Sequence, residues 1–135
     1  MKRLLRYAAA VLLGFGVFLI PLASSLAVSA ESPVSVESMV FARSIESREP
    51  VGVAKEFEAS VTQVYCWTKL SAKTPPASVK HVWYNAGRKL LEVPLTLNYS
   101  AGRYWSVKNV NPGDWTVEVV GANGEVFGSG SFKVK

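Results

Sequence analysis

The stretch WTVEVVGANGEVFGSGSFKV, residues 115–134, decides the fold. Trp115, Val117 and Val119 alternate with Thr116 and Glu118, the period of two that puts one face of a strand in a core and the other in water. Asn123-Gly124 predicts a hairpin with a primed turn, whose backbone twist matches that of the strands it joins. Val126–Val134 pairs back on its predecessor, with Phe132 and Val134 joining Trp115, Val117 and Val119 in the core.

The same alternation recurs upstream of residue 115, and no helical stripe interrupts it. Arg103–Val110 is strand-like, with Trp105 and Val107 facing together, and the turn Asn111-Pro-Gly-Asp114 follows it. Leu91, Val93, Leu95 and Leu97 share one face of the segment before. Val79–Asn85 is another strand, ended by Asn85, Ala86 and Gly87. Val61–Leu70 is rich in β-branched and aromatic residues; Val64, Cys66, Thr68 and Leu70 take one side, and Gln63, Tyr65, Trp67 and Lys69 the other. Val34–Ala42 offers a first strand with Val34, Val36 and Val40 on one side. Between these two, residues 44–58 are polar and broken by Pro50 and Gly52, a loop or an edge excursion. Seven short strands at intervals of roughly ten residues predict an all-β, immunoglobulin-like β-sandwich, with an open barrel as the other way of closing the same strands.

The amino terminus reads as a targeting segment. Lys2, Arg3 and Arg6 precede the uncharged run Tyr7–Leu22, and Val28 and Ala30 supply the small residues of a cleavage site before Glu31. Residues 1–30 are therefore expected to be a signal peptide, with an uncleaved membrane anchor as the alternative. Residues 31–135 then form a single domain, since 105 residues hold one core. The expected location is periplasmic or secreted. Of the 15 Lys and Arg in the chain, three lie in the leader and all 10 Asp and Glu lie beyond it, so the domain is nearly charge-balanced. Its cations are scattered rather than gathered on one face, which argues against nucleic acid as a partner. One cysteine allows no internal disulfide.

Few residues invite a chemical reading. Cys66 with His81, or Ser106 with His81 and Asp114, could be drawn as a nucleophile and its base. Cys66 falls on the apolar side of its strand, where a thiol is inert, and no strand-to-helix elbow surrounds Ser106. One histidine and one cysteine fall short of the ligands zinc requires, so no metal or other cofactor is expected. His81 shares a face with Val79 and Trp83, as a half-buried imidazole bonded to backbone or as a ligand contact. Arg103 stacks on Trp105 or pairs with Glu92 rather than holding an anion. Tyr65 and Trp67, with Lys69, face away from the core: either residues 43–58 fold over them, or they form a platform for a sugar or a hot spot for a protein.

Taken in order, Val64-Tyr-Cys-Trp67, His81-Val-Trp83-Tyr84, Arg103-Tyr-Trp105-Ser106, Gly113-Asp-Trp115-Thr-Val117, Asn123-Gly124 and Phe132-Lys-Val134 resemble bacterial domain-of-unknown-function family 2914 over about residues 62–134. The resemblance implies a recurrent bacterial β module and no catalysis. The expectation is thus an exported, non-catalytic module that binds a protein of the bacterial envelope, candidate contacts being Tyr65, Trp67, Lys69, His81 and Arg103. The alternatives are a carbohydrate-binding module and, more remotely, a hydrolase using Cys66 or Ser106 with His81.

Overall fold

Alternation becomes strand wherever the sequence carries it, in a computed structural model that describes residues 32–135. The expected targeting segment and its expected cleavage site lie outside the described residues. Ten strands follow one another: β1 (Val34–Ala42), β2 (Ser44–Glu46), β3 (Glu49–Val51), β4 (Glu56–Phe57), β5 (Gln63–Ala72), β6 (Ala77–Asn85), β7 (Arg88–Leu97), β8 (Ala101–Asn109), β9 (Gly113–Gly121) and β10 (Val126–Val134). Seven are long, as expected. The three short ones come from residues 44–58, which form two strands of a separate hairpin and one of a sheet edge rather than a plain loop.

A three-stranded sheet, β1-β5-β8, packs on a five-stranded one, β4-β10-β9-β6-β7. Among the seven long strands this puts the first, second and fifth in one sheet and the other four opposite, an immunoglobulin-like sandwich in which β7 stays beside β6. Parity fixes which side chains meet between the sheets. Val64, Cys66, Thr68, Leu70 and Ala72 of β5 face inward, as do Val79, His81 and Trp83 of β6 and Trp115, Val117 and Val119 of β9. In β1 the inward set differs from expectation: a bulge at Glu37 shifts the pairing from Val36↔Leu70 to Ser38↔Lys69, so Met39 and Phe41 replace Val40 on the core side.

Aromatic rings fill the lower core. Phe132 stacks parallel to Trp115 at 6.0 Å between ring centres, and Trp83 meets both edge-on at 6.5 and 6.2 Å. The Trp115 indole N–H donates to the Asn111 carbonyl at 2.8 Å, tying the start of β9 to the turn before it, as a corner tyrosine does in this fold. Two residues on, where a disulfide-bearing relative of the fold has its second cysteine, stands Val117; Cys66 is free and buried. Under β1, the β10 residues Gly128 and Gly130 have no side chain because Val36, Met39 and Phe41 occupy that space: a Cβ on Gly130 would lie 2.8 Å from Met39 Sδ.

Turn chemistry departs from the sequence reading at one place. The Gly124 N–H donates to the Gly121 carbonyl at 3.0 Å, and in this turn only Gly124 has positive φ, 89°. Asn123-Gly124 thus closes a longer loop through an unprimed turn followed by a left-handed glycine, because Asn123 itself keeps negative φ. The two-residue primed turns lie elsewhere, at Ser47-Arg48 (φ 50° and 67°) and Ala86-Gly87 (φ 50° and 82°).

Candidate functional site

Two polar groupings stand out, one inside the sandwich and one on its surface. Inside, the full burial of His81 leaves every ring atom to be satisfied by protein. Its Nδ1 lies 2.7 Å from Ser106 Oγ and its Nε2 3.1 Å from Thr68 Oγ1. Thr68 already donates its proton to the Tyr104 carbonyl at 2.8 Å, so it accepts from His81, which fixes the proton on Nε2. Nδ1 then accepts from the Ser106 hydroxyl, which in turn accepts the Trp83 indole N–H at 3.0 Å. One unbroken chain runs from Trp83 through Ser106, His81 and Thr68 to Tyr104, crossing from β6 to β8 and β5 and consuming each donor once. Burial lowers the His81 pKa to about 4, so the ring is neutral at pH 7.

This arrangement corrects two expectations. His81 is fully rather than half buried, and it bonds two side-chain hydroxyls instead of backbone, so no external partner touches it. The Ser106–His81 pair has the spacing of a nucleophile and base, but the third member drawn from sequence is missing. Asp114 lies exposed at the start of β9, 4.0 Å from Lys133. Cys66 is also sealed in the core, where burial pushes its thiol pKa far up. A shallow depression of about 330 Å³ beside Ser78, Lys80, Pro94 and Gly121 contains none of these residues. Among the described residues, no three His, Cys, Asp or Glu side chains gather as metal ligands.

The surface grouping is the outer face of the three-stranded sheet, where pairing sets Tyr65 beside Val107, Trp67 beside Trp105 and Lys69 beside Arg103. The β2-β3 hairpin closes over its middle. The Trp67 indole N–H donates to the Arg48 carbonyl at 2.9 Å, and Trp67 is only 6% exposed. The Arg48 guanidinium sits 5.7 Å from the centre of the Trp105 ring. Glu49 pairs with Arg103. Of the alternatives open in the sequence, Trp67 is therefore covered by the segment 43–58 and is no open stacking platform. Arg103 takes Glu49 rather than Glu92, and the residue that stacks on Trp105 is Arg48. Glu92 is engaged by Lys89 at 2.6 Å and Lys80 at 3.1 Å, which hold its carboxyl pKa below the usual range.

What remains accessible on this face is half-buried Tyr65 and Trp105, exposed Val107 and Lys69, and the guanidiniums of Arg48 and Arg103. Sequence reasoning missed Arg48 and Glu49. Their stretch carries no strand alternation, and nothing in it marks a hairpin that folds back over β5 and β8. On the opposite outer face the charges pair with one another around Val82 and Val120: besides the lysines on Glu92, the Tyr84 hydroxyl donates to Glu118 at 3.1 Å.

No curated protein matches the chain. A family match covers β6 to β10 and leaves Val64–Trp67, which the sequence resemblance took in, outside it. Residues 76–134 match the family described as protein of unknown function (DUF2914), the family whose ordered motifs the sequence resembles.

Proposed function

We propose that the chain is an exported, non-catalytic interaction module that binds another protein in the bacterial envelope. The observation that carries this reading is the asymmetry of the two outer faces. One is charge-paired, as a solvated face is. The other gathers Tyr65, Trp105, Val107, Arg48, Arg103 and Lys69 around a hairpin. Tyr, Trp and Arg dominate the energetic centres of protein interfaces: the two aromatics bury large area at low entropic cost and still offer a polar atom, and Arg brings a planar fork of donors. Export rests on the leader pattern of residues 1–30.

The test is cross-linking in envelope fractions of the native bacterium, followed by recovery of the chain and its neighbours. Trp105→Ala and Lys69→Glu should each reduce recovery of the same partner by about tenfold or more, as hot-spot truncations do, while Lys80→Glu on the opposite face leaves it unchanged. Equal recovery with all three variants would refute the assignment of this face. A neighbour set containing only glycans would replace the protein partner with a carbohydrate.

A further inference from the structure

Sheet edges are templates for a further strand, and folded proteins block them with proline, bulges, short strands or a covering segment. Of the four edges of the two large sheets, three carry such a device. On β7, Leu90 is bulged out of the pairing and Pro94 lacks an N–H. On the other side of that sheet, the two-residue β4 caps β10 at Lys133 and Val134, and β1 packs over β10 at Gly128 and Gly130. In the three-stranded sheet, β1 carries the Glu37 bulge, and its end is covered where the Ala54 N–H donates to the Phe41 carbonyl at 3.0 Å.

The fourth edge, β8, has none of these devices. It is nine residues long, contains no proline, and pairs with β5 without a register shift. Its open backbone groups follow from parity. The Ser100 carbonyl accepts from Ala72 at 2.9 Å and the Val110 N–H donates to Thr62 at 3.0 Å, both toward β5. Even-numbered residues between them point their backbone the same way, which leaves the N–H and C=O groups of Arg103, Trp105 and Val107 at the free edge. A groove of about 210 Å³, lined by Leu95, Arg103, Tyr104 and Trp105, runs along this flank. Beside it stand Arg48, Lys69 and Arg103, with Glu49 paired to Arg103 and Glu46 opposite Glu49 in the hairpin, and β8 itself holds Arg103 and Lys108 and no acid.

We infer that β8 accepts an extended acidic segment of a partner protein as an added antiparallel or parallel strand. The segment bonds to the backbone of Arg103, Trp105 and Val107, turns one set of alternate side chains, the apolar one, toward Tyr104 and Leu95, and turns the other, its carboxylates, toward Arg103 and Lys69 on the outer face. This names the mode and chemistry of the partner and rests on the protein-binding reading above. A second copy of the chain fits less well, because two β8 strands would bring four cations together with no carboxylate of their own.

The probe is an eight-residue blocked peptide of alternating Glu and Val, added to the full chain while backbone amide exchange is followed. Exchange at Arg103, Trp105 and Val107 should slow about tenfold or more. A Lys-Val peptide and an N-methylated Glu-Val peptide should have no effect. Val107→Pro removes an N–H that the fold does not use, so it should abolish the slowing at an unchanged unfolding midpoint, whereas Val107→Thr retains it. The proposal is overturned by no slowing at millimolar Glu-Val peptide, by equal slowing with Lys-Val or the N-methylated peptide, or by slowing that appears on concentrating the chain alone. If Val107→Pro misfolds, the N-methylated peptide still decides the matter. Envelope partners that depend on Trp105 while the peptide protects nothing would sink strand addition and leave the protein-binding reading intact; partners indifferent to Trp105 would sink the reading itself.

Discussion

At the scale of single residues, His81 carries the clearest consequence. Its folded pKa of about 4 lies below the unfolded value of 6.5, so the unfolded chain takes up a proton first as pH falls. Its contribution to stability is complete above pH 6.5 and is lost progressively down to pH 4, with a total on the order of 3 kcal/mol. Denaturant midpoints measured between pH 7 and 5 should therefore fall, and His81→Gln, whatever its own stability, should flatten that slope. A slope unchanged by the substitution would place the titration elsewhere. The sequence shows His81 on the core side between Val79 and Trp83 and offers Ser106 beside it only as a nucleophile; Thr68 it does not offer, and the two lie 25 and 13 residues away, on strands of the other sheet. Thr68 reads, in sequence, as an ordinary hydroxyl on a strand.

Among the elements, the β2-β3 hairpin and the turn at Ala86 behave differently from what composition suggests. Trp67→Ala removes a ring that is 6% exposed and leaves the Arg48 carbonyl without its donor. It should cost about 3 kcal/mol and loosen the hairpin, read as a lowered thermal midpoint and faster exchange in residues 44–51. A loss below about 1 kcal/mol would mean the hairpin is no cover. At Ala86 the backbone has φ 50° in an exposed primed turn, followed by Gly87 at 82°. Ala86→Asn creates the Asn-Gly pair such turns prefer and should raise stability by about 0.5–1 kcal/mol in equilibrium unfolding. The long strands were legible because burial on one face writes its period of two into the sequence. The hairpin was not, because Ser47 and Arg48 adopt left-handed backbone without the glycine or asparagine that would announce it. Asn123-Gly124 carries that announcement and forms a different turn, since the five-residue closure between Gly121 and Glu125 sets its geometry.

For the molecule as a whole, the spacing of the two sheets depends on what β10 omits. Gly130→Val would put methyl groups where Met39 Sδ already lies 2.8 Å from an added Cβ and the Phe41 ring 3.2 Å away. Forcing that contact should cost about 1–3 kcal/mol, while Ser129→Val, one residue earlier and facing outward, should change the midpoint little. The contacts of Gly128 with Val36 and of Gly130 with Met39 and Phe41 also show that β1 and β10 run in the same direction. Val34 and Val134 therefore lie at opposite ends of the sandwich. A mechanical pull between them acts lengthwise along the strands, so the rungs from Val34↔Ala72 to Ala42↔Tyr65 are loaded in shear together instead of being unzipped one by one. Under tension the domain is a stiff link rather than a spring.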